Sequence, residues 1–188
     1  YAALVGAALI EQWVGIPARL TVGSEFRYSP PPLDPSTLVV AVTQSGETAD
    51  TIAPTRYARE RGCPIVAVTN TVGSAITREA HAVLFLQAGP EIAVAASKTF
   101  TTQVATLVML AAAIAKARGT LPVAEERALV AALRDLPAAA QRTLEACTGV
   151  PDLARRYVNS RGFMFVGRGS SYPAALEGAL KLKEVSYI

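Results

Sequence analysis

With 188 residues, 51% of them hydrophobic and 18% charged, the chain is globular and long enough to bury one good core and begin a second domain. Its net charge of +3 is scattered; the densest basic spots, Arg59 to Arg61 and Arg155-Arg156, carry no interleaved aromatics, which excludes a nucleic-acid footprint. The longest apolar run, Val104 to Ala115, is about twelve residues, short of a membrane span and suited to a buried core helix, and the first residues lack the basic and apolar regions of a signal peptide.

Tyr1 to Val14 is rich in Ala and Leu and reads as a helix, ended by Gly15-Ile16-Pro17. Ala18 to Val22 is expected to form a short strand, and Ser24 to Tyr28 a brief helix or turn. Ser29-Pro30-Pro31-Pro32 and Asp34-Pro35 make a stiff surface connection. Thr37 to Val42 is a β-branched apolar run suited to a strand buried on both faces of a parallel sheet. A helix follows to Gly62, its natural C-terminal stop. Pro64 to Thr69 is a second buried strand, with Asn70 and Gly73 in its exit turn and Ser74 expected to cap a short helix ending near Ala80. Ala82 to Leu86 is a third strand, followed by a loop through Gly89-Pro90-Glu91. A long helix is expected from Ser97, its cap, to about Arg118, with Gly119 at its end. His81 precedes a strand and reads as structural or exposed. Val123 to about Cys147 is a linker helix with Leu129, Leu133, Leu136 and Leu144 as its apolar stripe, divided or kinked at Pro137. Pro151 to Val158 is a short helix and Phe163 to Val166 another strand. Cys63 and Cys147 lack C-x-x-C spacing and read as reduced thiols, consistent with a cytoplasmic location.

Alternation of strand and helix implies an α/β fold with a doubly wound parallel sheet and right-handed crossovers. Ligands of such sheets sit at the C-terminal ends of the strands, where Thr43-Gln44-Ser45-Gly46-Glu47-Thr48 lies. This turn combines hydroxyls, an amide and a glycine with the unpaired N–H groups of a helix start, a combination that attracts anions. It has no Lys or Arg and no G-x-x-x-x-G-K-[ST] loop, which favours a small sugar phosphate over a nucleoside triphosphate. The plain alternative is that Ser45 and Thr48 only cap the helix and Gly46 only makes the turn.

Tyr172 to Leu180 (YPAALEGAL) resembles Tyr1 to Leu9 (YAALVGAAL) with one gap. In the second copy the helix follows Phe163 to Val166 and the Gly/Ser-rich loop Val166-Gly167-Arg168-Gly169-Ser170-Ser171. The division expected is a first domain over residues 1–120, a helical linker over 121–160 and the opening strand, loop and helix of a second domain over 161–188. By the same analogy a strand and loop are expected ahead of Tyr1, and the rest of the second copy after Ile188.

Ser24-Glu25-Phe26-Arg27-Tyr28, Gln44 to Thr51 (QSGETADT), Lys98 to Gln103 (KTFTTQ) and Ala175 to Glu184 (ALEGALKLKE) resemble, in order and at nearly constant spacing, the isomerase part of the glutamine:fructose-6-phosphate amidotransferases, the glucosamine-6-phosphate synthases. That part is built from two sugar-isomerase (SIS) domains. The resemblance implies conversion of fructose 6-phosphate and glutamine to glucosamine 6-phosphate and glutamate, without metal or organic cofactor. It implies that Thr43 (usually Ser), Gln44, Ser45, Gly46 and Thr48 hold the sugar phosphate and that Val94 and Ala96 line the sugar. Ala96 stands where many members carry Ser, so it offers no side-chain hydrogen bond. Glu184 would move a proton between C1 and C2 with Lys181 beside it, a carboxylate and cation suited to isomerisation through an enolate-like charge. Residues three apart on a helix share a face, so an ordinary surface ion pair remains the bland reading of the two.

The family's ring-opening His and Schiff-base Lys fall beyond Ile188 by this alignment. His81 does not match the former, and neither Cys63 nor Cys147 fits the nucleophile of the family's glutaminase domain. The implied partners are that glutaminase domain and a second copy pairing through SIS domains, with neither nucleic acid nor membrane. Two alternatives stay open: a non-catalytic SIS module that senses a sugar phosphate, and a stand-alone phosphosugar isomerase or deaminase. A sensor has no need of the Lys181 and Glu184 pair.

Overall fold

The computed structural model describes residues 1–187; Ile188, within the expected opening of the second copy, lies outside them. Three strands, β1 (Val39–Val42), β2 (Ile65–Thr69) and β3 (Ala82–Phe85), form a parallel sheet in the order β1-β2-β3. Val39 pairs with Ile65 and Val66 with Ala82, so the ladders run in register from strand to strand. Successive side chains of a strand point to opposite faces, and both faces here are apolar. Val40, Val42, Val68 and Leu84 pack toward α1 (Ala2–Leu9) and α5 (Lys98–Ala117) around Ala2, Leu86 and Leu107. Val39, Ala41, Ile65, Ala67 and Val83 pack toward α3 (Ala49–Glu60) and α4 (Ala75–Glu79) around Ala58, Cys63 and Ile76. The sheet is thus covered by helices on both sides, as the β-branched runs predict. Each fully buried Val or Ile, such as Val68, Ile65 and Ile76, contributes about 1.5–3 kcal/mol of transfer free energy.

Local chemistry explains most boundaries. The first helix passes from α1 into a π-helical turn over Ile10–Val14 and stops at Gly15, whose φ of 73° only glycine adopts freely. Helix α2 (Gly23–Tyr28) lies against α3 so closely that a Cβ on Gly23 would stand 2.4 Å from the Asp50 carbonyl oxygen. Phe26 and Tyr57 meet edge to face at 5.9 Å between ring centroids, and Arg27 pairs with Asp50 at 2.9 Å.

Several expectations are corrected. Residues 18–22 and 163–166 join no ladder, so neither expected strand forms among the described residues. A run with strand propensity becomes a strand only when a partner offers N–H and C=O groups, and among the described residues no strand pairs with either. Phe165 instead lies on α8 (Ser171–Ser186), its ring 3.0 Å from where a Gly178 Cβ would be. Helix α6 (Val123–Ala146) runs through Pro137 without a break. It has no buried residue, so water can satisfy the carbonyl that the proline leaves unpaired; its expected stripe is half-buried at Leu129 and Leu133 and exposed at Leu136 and Leu144. Helix α5 outruns the apolar stretch read from the sequence: 20 residues at a mean hydropathy of 1.5 suffice, by length and composition, to cross a membrane. Its Phe100, Val104 and Leu107, however, pack on the sheet with α1. After α6, a 3₁₀ turn (Cys147–Gly149) and α7 (Val150–Arg156) lead to α8, which packs against α1.

Candidate functional site

The turn after β1 is built by its own side chains. Thr43, 7% exposed, accepts the Gly46 N–H on Oγ1 at 3.2 Å, while Ser45 Oγ accepts the Glu47 N–H at 3.2 Å. Gly46 has φ 68°, and a Cβ there would lie 2.2 Å from Ser74 Oγ and 2.8 Å from Ile76 Cγ2. Only glycine fits, for reasons of both conformation and space. Thr48 occupies the N-cap position of α3, yet its side chain makes no capping hydrogen bond. The N–H groups of Gln44, Ser45 and Thr48, the Gln44 carboxamide and the Thr48 hydroxyl find no partner among the described residues. They stand at a helix N-terminus with the helix dipole behind them, at the C-terminal end of β1.

Neighbouring turns are stitched to this one. Gly46 O accepts the Ile76 N–H at 3.0 Å and Glu47 Oε1 accepts the Ala75 N–H at 2.8 Å. Glu47 therefore caps α4; Ser74, expected to do so, donates its hydroxyl to Thr71 O instead. Gln44 O accepts from the Asn70 N–H at 3.0 Å and from Thr69 Oγ1 at 3.3 Å. The loop after β3, which carries Val94 and Ala96, is held at both ends. Asn70 grips Ala88 and Gly89, and Glu91 Oε2 accepts from the Thr99 N–H at 3.0 Å and from Thr99 Oγ1 at 2.6 Å. Glu91, and not Ser97, thereby caps α5. The hydrogen bonds from the Thr99 hydroxyl and amide hold the Glu91 carboxyl below the usual carboxylate range. Lys98 closes the loop by donating to Pro90 O at 2.6 Å. Val94 is 92% exposed at the crest of this loop and Ala96 is half-buried.

On α8, Lys181 Nζ lies 2.6 Å from Glu184 Oε2 and 3.3 Å from Glu177 Oε1. Burial works to lower the Lys181 pKa, but its hydrogen bonds to Glu184 and Glu177 outweigh it and leave the ammonium raised above its ordinary value. Glu177, 9% exposed, is the member of this cluster that sequence reasoning overlooked. The signal was its i,i+4 spacing to Lys181. Glu47, Asn70 and Glu91 were also missed, and each acts across 8 or more residues of sequence, beyond the reach of helical spacing. The structure brings Lys181 and Glu184 together with Glu177, and brings Thr43, Gln44, Ser45, Gly46 and Thr48 together in one turn; no hydrogen bond or ion pair links the two groups. His81 is exposed and structural, its Nδ1 accepting the Ile65 N–H at 3.1 Å.

Comparison with known proteins agrees with the fold. The chain is 48% identical over 188 residues to a glutamine–fructose-6-phosphate aminotransferase [isomerizing] of Symbiobacterium thermophilum, and 46% identical over 188 residues to that of Methanosarcina acetivorans. All of this chain is matched, and it spans about 30% of the length of these curated relatives. It superposes with a TM-score of 0.96 on the C-terminal domain of glucosamine-fructose-6-phosphate aminotransferase from Francisella tularensis, at 32% identity over 100% of this chain and 53% of that one. The family model for the SIS domain matches residues 1–113, which include the whole parallel sheet and the turn after β1, and the chain belongs to the SIS domain family.

Proposed function

We propose that this chain contributes the sugar-phosphate end of the isomerase site of a glutamine–fructose-6-phosphate aminotransferase. One observation carries the reading: Thr48 stands at the N-cap of α3 without capping it, so its hydroxyl is spare beside unpartnered N–H groups. Helix capping alone does not account for that arrangement. Phosphate oxygens accept from the amides and hydroxyls of Gln44, Ser45 and Thr48, with Thr43 and Gly46 shaping the turn. Val94 and Ala96 face the sugar from the loop after β3. Glu184 takes a proton from one of the two reacting carbons and returns it to its neighbour, while the Lys181 ammonium, kept charged by Glu177 and Glu184, stabilises the negative charge that develops between the two events.

The same reading makes residues 1–120, 121–160 and 161–188 an SIS domain, a linker and the opening of a second SIS domain. It adds a glutaminase domain and a second copy of the isomerase region as partners, in the cytoplasm. The repeat supports this division at one further point. Gly6 of α1 and Gly178 of α8, matched in the two copies, each admit an apolar side chain against the helix backbone, Leu107 in the first and Phe165 in the second.

The test is a titration of the isotope-labelled chain with fructose 6-phosphate, followed by NMR. The amides of Gln44 to Asp50 are expected to shift, and Ser45→Ala or Thr48→Ala to weaken binding about tenfold or more, the loss of one hydrogen bond to a charged acceptor. Shifts elsewhere, or affinity untouched by both substitutions, overturn the reading.

A further inference from the structure

The loop that carries Val94 and Ala96 leaves β3 through a bend that one side chain completes. Gln87 and Gly89 both have positive φ, 57° and 67°, and the peptide groups of Ala88 and Gly89 turn toward β2. There Asn70 meets them: its Oδ1 accepts the Ala88 N–H at 3.0 Å and its Nδ2 donates to Gly89 O at 2.7 Å. A donor and an acceptor are needed on one short planar group, which asparagine has; the pairing also fixes which end of the carboxamide is oxygen. The backbone N–H of the same residue donates to Gln44 O at 3.0 Å. Asn70 is therefore bonded both to the turn after β1 and, through its side chain, to Ala88 and Gly89 of the loop after β3. At its far end that loop is tied down by Glu91 on Thr99.

We infer that Asn70 is a positioning residue that sets the sugar-lining loop at its working distance from the phosphate turn. It touches neither phosphate nor reacting carbon; it acts through Ala88 and Gly89 on Val94 and Ala96. The inference rests on the sugar-phosphate reading above. Its signature is a split between two ligands. Inorganic phosphate needs only the turn, whose hydrogen bonds within residues 43–48 do not involve the Asn70 side chain. Fructose 6-phosphate needs the turn and the loop together.

The experiment titrates the whole chain by NMR with inorganic phosphate and, separately, with fructose 6-phosphate, in the wild type, Asn70→Ala and Asn70→Ser. The wild type is expected to prefer the sugar phosphate. Both variants are expected to hold inorganic phosphate within about twofold of wild type and to weaken for fructose 6-phosphate about five- to tenfold, the effect of two lost hydrogen bonds on loop placement. A preference for the sugar phosphate that survives in the variants overturns the inference and leaves the functional reading standing. An equal loss for both ligands, or loss of the folded state in both variants, assigns Asn70 a general structural role and overturns it too. A wild type without preference between the two ligands removes the functional reading, and the inference with it.

Discussion

At position 46 the backbone turns through φ 68° with Ser74 Oγ and Ile76 Cγ2 crowding the space a Cβ would fill. Gly46→Ala is therefore expected to destabilise the chain by about 2 kcal/mol or more, from left-handed strain and displaced neighbours together, read as a lower urea midpoint at unchanged slope. The glycine was legible in the sequence as a turn former. Its crowding was not, because Ser74 and Ile76 arrive from another helix. Thr48 shows the converse: position in the sequence named it a cap, but its hydroxyl is uncommitted. At this scale residue type and spacing identified the turn, and only the tertiary contacts showed which of its groups are spent.

Helix starts show how local signals are overruled by distant partners. Ser74 and Ser97 stand where caps are expected, yet the first-turn amides of α4 and α5 are met by Glu47 and Glu91, carboxylates from other turns. An anion at a helix N-terminus is favoured by the dipole as well as by the hydrogen bond. Because the Glu91 pKa is lowered in the folded chain, its stabilising contribution is complete above the ordinary glutamate range and is lost as pH falls through the depressed native value. The Thr99 amide resonance is expected to report that titration below the range of a solvated glutamate, and Glu91→Gln to abolish it. Strands obey the same rule. Residues 39–42, 65–69 and 82–85 were legible because they are apolar on both faces and find one another. Residues 18–22 and 163–166 have the propensity without the neighbour, and propensity alone makes no ladder.

For the molecule as a whole, the parallel sheet between two helical layers followed directly from the alternation of apolar runs and helical spacing. The phosphate half of the proposed chemistry was legible in the turn's own residues, but its connection to Lys181 and Glu184 was legible only through motif resemblance, since nothing in local spacing relates residue 184 to residue 48. Within the complete aminotransferase proposed for this chain, Glu184→Gln is expected to reduce isomerisation by about 10³-fold or more while leaving the affinity for fructose 6-phosphate within about twofold. Turnover and sugar-phosphate binding measured on the same preparation check this; a well-retained turnover number removes Glu184 as the base. The hydrogen bonds that join Gly46 to Ile76, Glu47 to Ala75 and Asn70 to Gln44, Ala88 and Gly89 make three turns at one end of the sheet a single unit. Retargeting such a site by grafting a foreign loop in place of residues 43–48 would sever bonds that cap one helix and seat another loop. A transplant that moves all three turns as one cassette keeps those bonds internal, and this is the smallest piece of the surface that can be exchanged as a module.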